Sequence, residues 1–269
     1  MKTHPFLIGA LLLTLWISPA LAQTGITIGP PRVYFQINPG QSQTENVMVS
    51  NPSKDFALEL GISFEDWEYN EFGDNQVYPA GTLPSSAAAW ISTDQLFFSL
   101  APGESKELAI QMSVPSAYDN MDVPVHTSMM YVTQLNPREG VDKDGANIQI
   151  AVRTGIKLYR SPANRITPEI EITNFTAHRD SAKQWLTLHF DNIGKIWADG
   201  MISVELLNQQ DGSKRTLTPV DFYTMPGDHR KHRILLPADL QKGEYTISAI
   251  MNYGDISTVK IAELDYVHE

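Results

Sequence analysis

The chain has 269 residues, of which 31 are Asp or Glu and 20 are Lys or Arg, so its formal net charge is −11 at pH 7. Nucleic acids and anionic lipid surfaces repel an acidic chain, and we therefore expect neither as a partner. The sequence contains no cysteine. This excludes disulfide bonds, thiol catalysis and cysteine-based metal sites.

The first 22 residues have the pattern of a secretory signal peptide. Lys2 lies in a short, weakly basic start, residues 6–17 are almost entirely apolar, and residues 20–22 read Ala-Leu-Ala, a small-residue cleavage motif. A membrane-spanning helix needs about 20 apolar residues, so this run is too short to be one. We expect an exported protein that begins near Gln23 after cleavage and has no integral membrane anchor.

Apolar residues alternate with polar or small ones along most of the remaining chain, for example over 56–64, 108–114 and 148–158. This period of two indicates β-strands with one buried face. Clusters of Gly, Pro, Asn and Asp separate the runs and predict turns. The strands predicted before residue 160 are 26–37, 44–50, 56–64, 96–100, 107–114, 126–135 and 147–159.

A similar set of strands follows residue 160, and about seven short strands in about 100 residues is typical of an immunoglobulin-like sandwich. The fold class predicted is all-β, with two consecutive immunoglobulin-like β-sandwich domains after a signal peptide. The domains are 1–22 (signal peptide), 23–162 and 163–269, divided at a polar, proline-containing stretch. The later strands are 169–176, 184–192, 200–207, 214–218, 230–236, 243–253 and 256–266.

One segment, 65–86, is predicted to be a long connection rich in acidic and aromatic residues. Aromatic side chains there either pack on the sandwich or, with the acids, bind a carbohydrate. Trp67 is the main residue behind the carbohydrate alternative. Glu65, Asp66, Glu68 and Glu71 are candidate paired carboxylates, although a solvated acidic loop is the simpler interpretation.

Three pieces of the first domain resemble the periplasmic pilus assembly chaperones of the PapD-like family. Arg32 precedes a hydrophobic run in the first long strand, and residues 98–105 resemble a loop of that family. Most specific is the segment 145–160, in which Lys157 follows an alternating aliphatic triplet by five residues. The triplet is Ile148, Ile150 and Val152. The resemblance covers about 26–160 and is weaker in the second half.

The resemblance implies a non-enzymatic periplasmic chaperone that caps pilus- or fimbria-like β-sandwich subunits. It would donate strand 147–158 to the groove of a subunit that lacks one strand, a known form of β-augmentation. Ile148, Ile150 and Val152 would enter the groove, and Arg32 and Lys157 would bind the C-terminal carboxylate of the client. Expected partners are secreted β-sandwich subunits, and the resemblance leaves open an outer-membrane usher and self-association through the donor strand. No cofactor and no metal is expected.

The sequence also departs from the family pattern. A Tyr-Arg-Ser-Pro stretch, 159–162, is one residue longer than the usual motif, His126 begins a His-Thr-Ser stretch where the family has Arg-Ser, and 65–86 is unusually long. These departures indicate a divergent member. They leave open a non-catalytic structural or adhesive envelope module as the alternative, and a carbohydrate-binding protein as the third hypothesis.

Two further clusters are interpreted as structural. The basic run from His229 to Arg233 includes two histidines, but its Arg and Lys charges oppose a metal, so a solvated strand start is expected. The sequence from Asp142 to Gly145 resembles a fragment of a calcium loop without the remaining ligands, and a hairpin turn is expected instead.

Overall fold

The computed structural model describes residues 25–118, 123–164, 166–180, 183–254 and 258–269. The predicted signal peptide, 1–22, lies outside these residues. Their regular structure is β-strand apart from one 3₁₀ turn at Ala88–Trp90, so the all-β prediction is confirmed. Within the same ranges, no helix has the length and apolar character needed to cross a membrane.

The N-terminal sandwich begins at residue 27 and ends at residue 161. Its strands are β1 (Thr27–Gly29), β2 (Arg32–Gln36), β3 (Ser42–Ser50), β4 (Leu58–Tyr69), β5 (Asn75–Tyr78), β6 (Ile91–Thr93), β7 (Phe97–Leu100), β8 (Ser105–Ser113), β9 (His126–Gln134), β10 (Arg138–Val141), β11 (Asn147–Ile150) and β12 (Arg153–Ser161).

Two sheets of this sandwich face each other across one hydrophobic core. One sheet has the order β1-β3-β8-β6, and the other has the order β2-β12-β9-β4-β5, with β7 also paired to β4. The first extended segment contributes β1 to one sheet and β2 to the other. Pro30 and Pro31 separate these two strands, because proline donates no ladder hydrogen bond. Alternate residues of β8 are fully buried, as their period of two predicts: Leu108, Ile110 and Met112.

The C-terminal sandwich has its own core, separate from the first, in which Leu188, Phe190 and Ile247 are buried. Its sheets have the orders β13-β14-β18 and β16-β15-β19-β20, with β17 also paired to β15. The strands are β13 (Ile170–Arg179), β14 (Gln184–Asn192), β15 (Ala198–Asn208), β16 (Lys214–Thr216), β17 (Val220–Thr224), β18 (His229–Leu235), β19 (Gly243–Tyr253) and β20 (Val259–His268).

The segment 147–158 contains two strands, so the prediction of one continuous strand is wrong. Among the described residues, β11 pairs with β10 alone in a two-stranded hairpin, whereas β12 lies between β9 and β2. Ala151 and Val152 join the two strands. The apolar alternation runs through this break, because a period of two records which face is buried and not which strand is the neighbour.

Much of the segment 65–86 is regular structure rather than a loop. β4 continues to Tyr69 and pairs with β5 to form a hairpin, here called the cleft hairpin (Asp66–Tyr78). Trp67 on this hairpin is only 1% exposed and packs beside Met129 and Tyr159. A buried Trp67 cannot stack on a sugar, which removes the main support for the carbohydrate-binding hypothesis.

Candidate functional site

The structure places Arg32 and Lys157 side by side. β2 and β12 are parallel neighbours in one sheet, and Lys157 is the register partner of Arg32. Residues directly opposite on neighbouring strands project from the same face, so the two cations share one surface. This surface faces the C-terminal sandwich, because Trp197 and Tyr223 of that sandwich lie against it.

Lys157 is only 9% exposed and is surrounded by aromatic rings of the N-terminal sandwich. Its Nζ donates a hydrogen bond of 2.8 Å to the hydroxyl of Tyr69 and lies 4.0 Å from the ring centroid of Trp67 and 4.2 Å from that of Tyr69. Burial, together with the charges of Arg32 and Arg230, lowers the pKa of Lys157 from 10.5 to about 7.

Arg32 is covered by aromatic residues of both sandwiches. Its guanidinium carbon lies 3.9 Å from the ring centroid of Tyr223, and its Nε is buried with no hydrogen-bond partner among the described residues. Beside it, Tyr34 stacks on Tyr159 at 5.2 Å and on Trp197 at 5.1 Å. The space left there is about 10 Å³, room for at most one water molecule.

Arg230 is a third cation at the cleft between the two sandwiches, and it comes from β18 of the C-terminal sandwich. It is 7% exposed, and its guanidinium carbon lies 5.0 Å from the ring centroid of Tyr69. Its neighbour Lys231 holds the cleft hairpin, with its N–H donating to the carbonyl of Glu71 at 2.6 Å and its Nζ 2.5 Å from the Glu71 carboxylate. The expectation that 229–233 is a solvated strand start is therefore wrong for Arg230, because the segment packs across the cleft.

The four candidate carboxylates of 65–86 have structural partners, which argues against a catalytic carboxylate pair. The buried carboxylate of Asp66 accepts hydrogen bonds from the N–H of Leu83 at 2.9 Å and from the hydroxyl of Ser86 at 2.6 Å. The other three also have partners: Glu65 pairs with Arg153, Glu68 accepts from Tyr78, and Glu71 pairs with Lys231.

Ile148 and Ile150 lie on the protruding β10–β11 hairpin and are 38% and 44% exposed. They project from one face, where Gly140 opposite them leaves room: a Cβ on Gly140 would be 2.8 Å from Cδ1 of Ile150. Val152 behaves differently, since it is half-buried against the N-terminal core. Within the described residues, one edge of β11 has no strand beside it, and neither has the adjoining edge of β12 before Lys157, where β12 pairs with β9 on its other side only.

The two clusters interpreted as structural have contacts within the chain. Among the described residues, no group of three or more His, Asp or Glu side chains is placed to hold a metal ion. His229 instead pairs with Asp191 at 2.9 Å. The carboxylate of Asp142 accepts hydrogen bonds from the N–H groups of Asp144 and Ala146, as expected of a hairpin turn.

Comparisons with known proteins give matches among solved structures only, since no family model and no curated protein matches the sequence. The chain is similar to the YadV chaperone at 11% identity and a TM-score of 0.46, covering 90% of this chain and 99% of that chain. It is also similar to the E. coli chaperone DraB at 17% identity and a TM-score of 0.43, covering 90% and 96%. The periplasmic chaperone SfaE is similar at 16% identity and a TM-score of 0.43, covering 91% of this chain and 100% of that chain.

These alignments extend over both sandwiches, whereas the sequence motifs cover only 26–160. At such identities and scores, no residue role is transferred from these proteins to this chain. The three structures are described as chaperones, one of them as periplasmic.

Proposed function

We propose that this protein is a periplasmic chaperone for secreted β-sandwich subunits that lack one strand. The observation that carries the proposal is the register pair Arg32 and Lys157, two cations on one face of the cleft between the sandwiches. The client would add its edge to β11 and the start of β12 and place its C-terminal carboxylate at the two cations. Binding of this kind needs no catalysis and no cofactor.

The charges at the cleft support a carboxylate as the ligand. No described carboxylate lies within ion-pair distance of Arg32 or Lys157. A buried charge without a counter-ion, such as that of Lys157, is costly, and a client carboxylate would provide that counter-ion. A hydrogen bond to a charged group contributes about 1.5–3 kcal/mol, and the position of the carboxylate would fix the register of the added strand.

The free edge supports strand addition by the client. An unpaired edge offers backbone N–H and C=O groups to a second chain. Ile148 and Ile150 project from one face of that edge, are about half-exposed, and would each gain roughly 1 kcal/mol when a client covers them. Val152 is already packed on the core, so we expect it to contribute less than the two isoleucines.

Tyr69 covers the two cations in this structure, so a client carboxylate needs a movement of the protein to contact them. The hydroxyl of Tyr69 already accepts the hydrogen bond of Lys157, and almost no space remains beside Arg32. A client carboxylate must therefore displace Tyr69 before it contacts both cations. We expect the cleft hairpin to move away from Lys157 when the client binds.

The test is capture of a client from periplasmic extract by the wild type and by Arg32→Ala/Lys157→Ala. The matched control is Arg215→Ala/Lys260→Ala, which removes the same charge from exposed positions of the C-terminal sandwich. We expect the wild type and the control to retain a small secreted β-protein and the cleft variant to lose it while staying folded. If the cleft variant retains the same partner, the two charges are not the anchor.

The structural or adhesive envelope module remains the second candidate, because the aromatic contacts across the cleft join the two sandwiches without any client. It would be favoured if no form of the protein retained a partner. An usher and self-association through β11 are further proposals. Self-association predicts a concentration-dependent dimer by sedimentation that Ile148→Lys abolishes.

A further inference from the structure

Arg230 is a buried cation whose N–H groups are not all hydrogen-bonded within the described residues. It is nine-tenths buried, yet its Nε and Nη1 have no hydrogen-bond partner among the described residues. Its nearest carboxylate oxygen, on Asp228, is 3.9 Å from Nη1, which makes an ion pair but is too far for a hydrogen bond. A buried guanidinium with unsatisfied N–H groups is costly, so its position indicates an acceptor that the chain itself does not supply.

The surroundings of Arg230 indicate where that acceptor would bind. The guanidinium carbon of Arg230 and the Nζ of Lys157 lie 5.0 Å and 4.2 Å from the centroid of the same Tyr69 ring. Gly73, with a φ of +95°, lets the turn of the cleft hairpin pass so close to the guanidinium that a Cβ there would overlap Nη2. Moving the ring of Tyr69 away would therefore expose Arg230 and Lys157 to one ligand.

We propose that Arg230 is a third cationic ligand of the client carboxylate, supplied by the C-terminal sandwich and exposed when Tyr69 moves away. The proposal rests on the function proposed above and adds to it a residue outside the N-terminal sandwich. Its consequence is that both sandwiches bind one anion, so the relative placement of the two sandwiches contributes to carboxylate recognition.

The probe is a short synthetic peptide of alternating valine and threonine, prepared with a free C-terminal carboxylate and with a C-terminal amide. Binding is followed by the fluorescence of the tryptophans beside the cleft, Trp67 and Trp197. The quantity compared is the ratio of the two affinities, because strand addition contributes to both peptides and only the acid reports the carboxylate site. In Arg230→Met, we expect this ratio to fall about tenfold.

The matched control is Arg233→Met. Arg233 is exposed, lies on the same strand as Arg230, and contacts Phe72 of the same hairpin at 4.9 Å. It should leave the ratio at the wild-type value. Equal weakening of acid and amide in Arg230→Met would mean that Arg230 only holds the hairpin, which would overturn the proposal.

Arg32→Ala/Lys157→Ala separates this proposal from the function on which it rests. If that variant loses the preference for the acid and Arg230→Met keeps it, Arg32 and Lys157 bind the carboxylate and Arg230 does not. If the wild type has no preference for the acid, the carboxylate anchor itself is wrong. Should Arg230→Met fail to fold, Arg230→Gln is measured, and an unchanged ratio there overturns the proposal because glutamine carries no positive charge.

Discussion

Replacing Lys157 with methionine should make the protein more stable in acid and change how its stability depends on pH. Methionine has a similar length and fills the same aromatic pocket without a charge. In the wild type, burial and the charges of Arg32 and Arg230 lower the pKa of Lys157 from 10.5 to about 7. The folded state therefore disfavours the ammonium, which the unfolded chain solvates freely.

The size of the effect follows from this difference in pKa. A fall from 10.5 to about 7 corresponds to roughly 5 kcal/mol against the charged form. The hydrogen bond to Tyr69, lost in the variant, offsets about 1–2 kcal/mol of that. Below pH 7, Lys157→Met should therefore unfold with a free energy about 3 kcal/mol above that of the wild type.

The sign of the pH dependence is determined by the protons bound in each state. Between the folded pKa of about 7 and the unfolded value of 10.5, the unfolded chain binds more protons at Lys157, so wild-type stability rises with pH. The variant lacks this contribution. Its advantage should therefore shrink by about 1.4 kcal/mol for each pH unit above 7.

Urea unfolding at a series of pH values from about 6 to 9 measures both proteins under the same conditions. Subtracting the two curves removes the tyrosines and other groups that titrate in both. Lys242→Met, which removes an exposed ammonium, is the control and should change the free energy of unfolding by less than about 0.5 kcal/mol. A difference between wild type and Lys157→Met that stays constant with pH would refute the lowered pKa.

Three further predictions concern the free edge, the C-terminal core and the cleft hairpin, and each is checked by urea or thermal unfolding. Ile148→Ser/Ile150→Ser should cost less than about 1 kcal/mol, since both side chains are exposed, and should still abolish client capture; a large loss of stability would show that they belong to the core. Phe190→Ala should destabilise the C-terminal sandwich by about 3–5 kcal/mol, and a smaller cost would mean that the site collapses around the lost ring. Asp66→Ala should cost about 1–3 kcal/mol, because it leaves the N–H of Leu83 unsatisfied, whereas a neutral result would show that water replaces the carboxylate.

The strands could be predicted from the sequence where one face is buried and the other is exposed to solvent. β8 is such a strand, and its alternation shows the face that packs on the core. β5 and β10 were missed because almost all of their residues are exposed, so no apolar period marks them. The break after Ile150 was missed for the related reason that alternation does not identify the neighbouring strand.

The site was only partly predictable, because its contacts join distant parts of the chain. Arg32 and Lys157 could be paired through a motif resemblance, and the structure places them in register. Arg230 carries no such signal, since the sequence shows only a basic run at a strand start. Its burial arises from packing between the sandwiches and against Tyr69 of the cleft hairpin, which neither periodicity nor local spacing records.

The charge at the cleft gives the strongest physical reason to regard it as a binding site. The chain has 31 acidic residues and 20 Lys or Arg residues, so a carboxylate could readily have been placed beside Lys157 if the cations were only structural. The described acids nearby instead pair elsewhere, as Glu71 does with Lys231 and Asp66 with Leu83 and Ser86. Burial and the two arginines oppose the charge of Lys157 and lower its pKa to about 7. An incoming carboxylate would relieve that repulsion and raise the pKa of Lys157, so client binding should be accompanied by proton uptake.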